Sequence, residues 1–301
     1  MAADTYASLS DLRVAAYMNQ ELFMLLHEAG DLRGTMNEVV FNPSLGSSAV
    51  KLGLYNPIDA FAAPGEDTAL SVTNITDSSA TLTVARYGLQ RELTDLAQIT
   101  GNPDLDKLAA DMAASATYTL SSLLTAGFTN LATSVGSAGI NLAVDDIYSG
   151  QYALQLSLVN GPFYCVLHPQ QFNDFQASLR GEQGAIQFAP ATAEMLGIKG
   201  ASFKGIWNGI EFYTHNSVVA SGGDRIGAMY GKGCYAYTEA PVDRITPFMN
   251  RSVSPVGSKM VVEIVRGSTG ASKGKTFAVG QYYPGVAEVE DLRGVKVVSD
   301  Q

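Results

Sequence analysis

A turn-rich segment with the pattern of a β-hairpin precedes one long helix, and this order constrains the fold more than any other feature of the sequence. Short alternating stretches at residues 50–55 and 80–85 are bounded by turn residues, such as those at 56–57 and 77–79, as expected for two paired strands. An isolated two-stranded hairpin is only marginally stable in water. We therefore expect this hairpin to lie on another surface, which in an oligomer belongs to a neighbouring subunit.

The element that follows is the strongest helix prediction in the chain. Asn102 suits the cap position, Pro103 suits the first helical position, and apolar residues then recur at helical spacing as far as Gly127. A helix over 103–127 would be about 35 Å long, at about 1.5 Å per residue. A rod of that length is expected to support a whole domain.

The remainder alternates between helix and strand, and its C-terminal end is rich in strands. Turn residues separate segments of helical or alternating periodicity. The predicted elements are a helix at 144–158, a strand at 163–167, a helix that starts after this strand, strands broken by glycine turns at 206–215 and 226–237, and strands at 261–265, 276–283 and 295–298. An amphipathic helix is also predicted near the N-terminus, at 10–27. The chain is therefore expected to be an α+β protein.

Composition favours a chain that other subunits cover. Hydrophobic residues make up 46% of the 301 residues and charged residues only 16%, which is apolar for a soluble monomer. The formal charge is −10, from 19 Lys and Arg against 29 Asp and Glu, and this disfavours a protein whose main task is to bind phosphate. The apolar run at 22–26 is too short for a signal sequence or a membrane span. We therefore expect a cytoplasmic chain with no membrane partner.

The chemical motifs in the sequence are weak. A Gly-Lys-Thr ending at 274–276 resembles a phosphate-binding loop, but Thr269 stands where that loop needs glycine, and a strand follows. The three histidines lack partners at ligand spacing, and the acids at 145–146 are expected to interact with a helix dipole. We therefore predict no catalytic, cofactor-binding or metal-binding residues. Cys165 and Cys234 lie in apolar, strand-like sequence and are predicted to be buried, reduced thiols.

Several segments in a fixed order carry a resemblance to a known family. They are the segments at 85–95, 103–127, 161–171, 203–213 and 227–233 and the tail at 280–298. Together they make the chain resemble the major capsid protein of a tailed double-stranded DNA bacteriophage, which has the Hong Kong-type phage capsid fold. The resemblance covers nearly the whole chain. It implies a structural protein, not an enzyme, whose function is assembly.

The resemblance also implies a division of the chain. The family fold is α+β, with an N-terminal arm, an extended β-hairpin called the E-loop, a peripheral domain with a long spine helix, and an axial domain. Carried onto this sequence, the parts are the arm at 1–38, the E-loop at 39–87, the peripheral domain at 88–144 and 241–301 with its spine helix at 103–127, and the axial domain at 145–240. The E-loop would lie across an adjacent subunit. The axial loop near 181–189 would meet its copies at the centres of pentamers and hexamers.

These roles single out candidate residues for contacts between subunits. They are Val50, Lys51, Leu52, Leu54, Tyr55, Phe61, Arg86, Arg91, Glu92, Gln183 and Phe188. The implied partners are other copies of the chain in an icosahedral shell, the portal protein, and separate scaffolding and decoration proteins where these exist. The shell would enclose double-stranded DNA in the virion after assembly in the host cytoplasm, with little specific DNA binding. Whether Arg13 and Arg33 touch the DNA stays open.

Two alternatives stay open beside this reading. An encapsulin-like bacterial compartment would use the same fold to enclose cargo enzymes in place of a genome. A soluble hydrolase would require Asp145, Asp146, His168 or His215 to converge in the folded chain.

Overall fold

The computed structural model describes residues 31–42, 47–55, 77–94, 105–181, 188–241, 253–256, 260–266 and 275–300. The helices in these ranges are α1 (Leu105–Gly127), α2 (Val144–Leu156), α3 (Pro169–Gly181) and α4 (Ala193–Lys199). The strands are β1 (Asn37–Glu38), β2 (Ala49–Tyr55), β3 (Asp77–Thr83), β4 (Tyr87–Thr94), β5 (Ser134–Gly136), β6 (Phe163–Leu167), β7 (Ala189–Pro190), β8 (Phe203–Trp207), β9 (Ile210–Thr214), β10 (Val219–Ser221), β11 (Asp224–Gly231), β12 (Tyr235–Glu239), β13 (Val253–Val256), β14 (Met260–Arg266), β15 (Lys275–Tyr282), β16 (Pro284–Glu288) and β17 (Gly294–Asp300). The helix predicted at 10–27 lies outside the described residues.

The largest sheet of the described chain has eight strands, in the order β5-β17-β11-β6-β9-β8-β7, with β10 paired to β11. Every residue of the central strand β6 is buried. Because side chains alternate along a strand, Cys165 joins the core cluster that α2 and α3 cover, whereas Tyr164 and Val166 join the cluster around α1. Both faces of this sheet are therefore covered by helices.

Helix α1 is the spine that the sequence predicts, and it ends at Gly127 as expected. Its buried face includes Leu120 and Leu124, which are fully buried. The same core cluster takes side chains from the large sheet, from the three-stranded sheet β1-β12-β16, and from the four-stranded sheet β13-β14-β15-β4. One helix thus connects three sheets. None of the helices in the described ranges is long and apolar enough to cross a membrane.

The large sheet also draws on strands from outside the range predicted for the axial domain. Strand β17 pairs antiparallel with β11 along its whole length and parallel with β5. The C-terminal strand therefore completes the sheet that begins with the middle of the chain. The domain boundaries at 144 and 240 stay a prediction.

Candidate assembly surfaces

The predicted hairpin is present as β2 and β3, which pair in a register that places Val50 opposite Leu82. Along β2, Val50, Leu52 and Leu54 are half-buried, and the side chain between them, Lys51, is exposed. Directly paired side chains point to the same face of a sheet, so the hairpin has one apolar face and one polar face. Within the described residues, the two strands pair with no third strand. The part of the apolar face that lies beyond Leu82, with Leu52 and Leu54, therefore calls for a covering surface.

The base of the hairpin is held by strand β16. Leu82 is fully buried, and the amide of Ala85 donates a hydrogen bond to the carbonyl of Pro284 at 3.2 Å. Gly285 permits a close approach, because a Cβ atom there would lie 2.7 Å from the carbonyl oxygen of Thr83. The hairpin is thus anchored at one end to its own subunit, whereas β2 packs chiefly against β3.

The structure describes some of the predicted contact residues of the hairpin and the axial loop, but not all of them. Val50, Leu52 and Leu54 lie on the apolar face of the hairpin, and Lys51 lies on its polar face. The structure describes Tyr55 only as the last residue of β2. Phe61 and Gln183 lie outside the described residues.

Three further candidates lie at or near the edge strand β4. Arg86 is exposed just before this strand, Arg91 within it is half-buried, and Glu92 is exposed. The carboxylate of Glu92 pairs with the ammonium group of Lys275 at 2.6 Å. Among the described strands β4 pairs only with β15, and an edge strand presents backbone groups suited to pairing with another chain.

Phe188 lies against its own subunit. The side chain is half-buried, and its ring centroid lies 6.1 Å from that of Phe172 and 6.4 Å from that of Phe212. Phe188 therefore helps to cover the large sheet, and its contact with another subunit stays a prediction.

A buried ion cluster anchors the segment before β1, and sequence reasoning missed it. Arg33 Nε lies 2.9 Å from Asp31 Oδ2, and Arg33 Nη2 lies 3.0 Å from Glu239 Oε1. Arg33 also donates to the Tyr282 hydroxyl at 3.3 Å, and this hydroxyl donates to Glu239. The side chain of Glu239 is 1% exposed and that of Arg33 is 15% exposed. A charge so well enclosed persists because it is paired and hydrogen-bonded.

The electrostatics of this cluster follow from its geometry. Burial acts to lower the pKa of Arg33, but Asp31, Tyr282 and Glu239 outweigh it and raise that pKa. Burial, and then the Glu239 carboxylate, raise the pKa of Tyr282. Arg33 is thus paired with groups of its own subunit. Tyr282 lies 249 residues from Arg33 in the sequence, so a local sequence pattern could not predict the cluster. Only the pair of Asp31 and Arg33 is close in the sequence.

Helix α1 carries a row of buried hydroxyl groups at Thr117, Ser121 and Thr125. Thr125 donates to the carbonyl of Ser217 at 2.9 Å. The hydroxyls of Thr117 and Ser121 have no hydrogen-bond partner within the described chain. Among the described side chains of the spine helix, Thr125 is thus linked to the connection between β9 and β10, whereas Thr117 and Ser121 are unsatisfied.

The acids that a hydrolase would need lie at the start of α2, whereas His168 and His215 follow the neighbouring parallel strands β6 and β9. Asp145 is exposed, and Asp146 accepts a hydrogen bond at 2.9 Å from the backbone amide three residues before it. His168 Nδ1 accepts from the amide two residues later at 3.3 Å, whereas His215 Nδ1 lies 2.5 Å from Ser217 Oγ. In the ranges that the structure describes, no group of three or more such side chains could hold a metal ion. This arrangement gives no support to the hydrolase alternative.

The two cysteines are buried and free, as predicted. Burial raises the pKa of both the Cys165 and the Cys234 thiols. A protonated, enclosed thiol behaves as a small apolar side chain, so both residues belong to the core.

Comparison with known families decides what these surfaces belong to. A family model described as phage capsid protein matches residues 78–297, more than two thirds of the chain. The chain belongs to the phage capsid protein family. No curated relative matches the sequence.

Solved structures share the fold of this capsid protein. The head structure of Helicobacter pylori bacteriophage KHP40 aligns with a TM-score of 0.60 at 10% identity, over 90% of this chain and 90% of that chain. The capsid of cyanophage P-SCSP1u aligns with a TM-score of 0.58 at 12% identity, over 89% and 86%. An encapsulin complex from Synechococcus elongatus also aligns, with a TM-score of 0.56 at 12% identity, over 87% and 84%. Family and fold together make this chain a structural subunit of the phage major capsid type, as the sequence predicted.

Proposed function

We propose that this chain assembles into pentamers and hexamers of an icosahedral shell that encloses the double-stranded DNA of a tailed phage. The observation that carries the proposal is the apolar face of the β2–β3 hairpin in a chain of the phage capsid protein family. A hairpin of this kind is stable when another surface covers it, and in a shell that surface is the next subunit.

The hairpin serves as the E-loop in this proposal. Val50, Leu52 and Leu54 contact the neighbouring subunit through the apolar face, and Lys51 points away from that contact. The predicted arm at 1–38 is fixed to its own subunit near Arg33, because the ion cluster secures its last residues. The portal protein and separate scaffolding and decoration proteins are further proposed partners, and assembly takes place in the host cytoplasm.

The proposed relation to DNA is enclosure with little specific binding. The formal charge of −10 opposes tight contact with phosphate, and Arg33 is already paired with two carboxylates of its own subunit. Packaged DNA would therefore be held by the closed shell and not by a base-reading surface.

An encapsulin-like compartment is the second candidate, because an encapsulin shares the fold. The phage reading is favoured by the family model, which is that of a phage capsid protein. The contents of native particles separate the two: nuclease-protected double-stranded DNA supports the phage capsid, and an enclosed protein without DNA supports the compartment.

Assembly itself is tested by negative-stain electron microscopy and sizing chromatography of the purified protein. Wild-type protein is expected to form rings of five and six subunits or closed shells. Leu52→Asp places a charge on the apolar hairpin face and is expected to stop shell formation, whereas Thr81→Asp places the same charge on the exposed face and is expected to leave it intact. Equal assembly of the two variants would contradict the role of the hairpin.

A further inference from the structure

Helix α2 carries an exposed apolar stripe that begins beside the large sheet, where the ring centroid of Tyr148 lies 4.9 Å from that of the buried Trp207, and runs outward along the helix. Tyr148, Tyr152 and Leu156 are spaced by four residues and are 43%, 66% and 70% exposed, so they share one helix face. Leu158 follows at 74% exposure with a φ of 57°. Asp145 is exposed at the start of the same face. We call these five residues the α2 stripe.

An apolar groove lies beside helix α4. The groove has a volume of about 720 Å³ and is lined by side chains that include Leu196, Ile198, Phe203 and Lys204. Ile198 is 79% exposed, and α4 has no buried residue. Within the described part of the subunit, Met195 of this helix packs against the core, whereas Leu196 and Ile198 are exposed. We call this surface the α4 groove.

The two surfaces belong to opposite faces of the large sheet. The buried side of α2, which includes Ile147 and Leu154, packs into the cluster on the Cys165 side of the sheet. Met195 of α4 packs against the cluster on the other side, around α1. The stripe and the groove of one copy therefore lie on opposite sides of its large sheet.

The two surfaces are also complementary in shape and charge. The stripe projects bulky aromatic and aliphatic side chains, and the groove is concave and mostly apolar. The stripe carries the acid Asp145, and the groove carries the base Lys204, whose side chain is exposed. Pairing two stripes with each other would bring like charges together, which is unfavourable. Stripe against groove is the favourable combination.

We propose that the α2 stripe of one copy docks in the α4 groove of the next copy, so that the axial parts of the subunits join head to tail. A contact between two different surfaces generates closed rings when the rotation closes, and rings of five or six are what a capsid subunit must form. This inference rests on the proposed function and adds to it the surfaces that meet within each ring.

A mixing experiment tests the proposal. Tyr152→Asp removes the stripe and Ile198→Asp removes the groove, while Ala177→Asp on the exposed side of α3 is the matched control. Each of the first two variants alone is expected to form no rings. Their equimolar mixture is expected to form a heterodimer and nothing larger, because one intact stripe and one intact groove remain per pair. The control is expected to assemble like wild type.

A charge exchange gives a second, independent test that does not place a charge on an apolar position. Asp145→Lys and Lys204→Asp are each expected to raise the protein concentration needed for ring assembly about tenfold, the equivalent of one unfavourable rim contact. The double exchange is expected to restore the wild-type concentration. Circular dichroism and the fluorescence of Trp207, the one tryptophan in the sequence, establish that each variant is folded.

The outcomes separate this proposal from the proposed function. Wild-type protein that forms no rings or shells contradicts both. Wild-type shells with normal assembly of the folded Tyr152→Asp and Ile198→Asp variants overturn the stripe and groove alone. Dimers of either variant that persist when Leu52→Asp also removes the hairpin contact show pairing of like surfaces and overturn the head-to-tail contact.

Discussion

The ion cluster at Arg33 should be one of the most sensitive points of the fold. Arg33→Met removes the partner of Glu239, whose side chain is 1% exposed, and leaves a buried carboxylate without its cation. Breaking a buried pair in this way typically costs about 3–5 kcal/mol. With an unfolding entropy of about 2.1 cal/mol/K per residue over 301 residues, this corresponds to a fall in Tm of roughly 5–8 °C.

The matched control is the exposed pair of Arg293 and Glu290, whose side chains are 41% and 37% exposed. Arg293→Ala is expected to cost about 0–1 kcal/mol, because water screens that pair. The assay is thermal unfolding of the unassembled subunit followed by circular dichroism, with urea unfolding followed by Trp207 fluorescence as a second probe.

A double variant separates loss of the pair from loss of packing. Arg33→Met with Glu239→Gln removes both charges of the more deeply buried pair, leaves the less buried Asp31, and keeps an acceptor for the Tyr282 hydroxyl, so much of the lost stability is expected to return. The reasoning is refuted if Arg33→Met is no more destabilising than Arg293→Ala, or if the double variant is less stable than the single one.

Three other predictions concern the hairpin base, the spine helix and pH. Gly285→Ala forces a Cβ against a carbonyl of β3 and is expected to destabilise the subunit by about 1–3 kcal/mol. In Gly53→Ala the new Cβ meets no atom within 4 Å, so a smaller loss of stability is expected. Equal midpoints of urea unfolding for the two variants would contradict this prediction. Thr125→Val loses a buried hydrogen bond and is expected to cost about 1 kcal/mol of stability. Thr117→Val removes a hydroxyl without a partner and is expected to leave stability unchanged or raise it. A similar fall in Tm for both variants would contradict this prediction. Burial lowers the pKa of His215 from its ordinary 6.5, so below that pH the unfolded chain binds more protons than the folded chain and the free energy of unfolding falls. His215→Gln is expected to reduce this fall between pH 7 and pH 5, and a fall of unchanged size would show that His215 does not cause it.

Local patterns were sufficient for the hairpin and the spine helix. Alternation at 50–55 and 80–85 predicted strands that the structure has at Ala49–Tyr55 and Asp77–Thr83, because period-two patterning is a property of each segment alone. The helix at Leu105–Gly127 ends where its apolar periodicity ends.

Features that depend on distant partners escaped prediction. The Arg33 cluster joins residues that only the folded chain brings together, and strand β17 finds its partners β11 and β5 far back in the sequence. Helix α4, with Thr192 as its cap, has only seven residues, too few to give a clear period. The exposure of the α2 stripe could not be predicted, because an apolar residue on a helix is expected to be buried until its packing is known.

The most direct test of the account is a cryo-electron microscopy reconstruction of particles assembled from the full chain. The account predicts a closed shell of pentamers and hexamers in which the apolar face of each β2–β3 hairpin, with Val50, Leu52 and Leu54, lies on a neighbouring subunit. A protein that stays monomeric without rings at any salt concentration, or a shell in which Leu52 and Leu54 pack on their own subunit, would contradict this prediction.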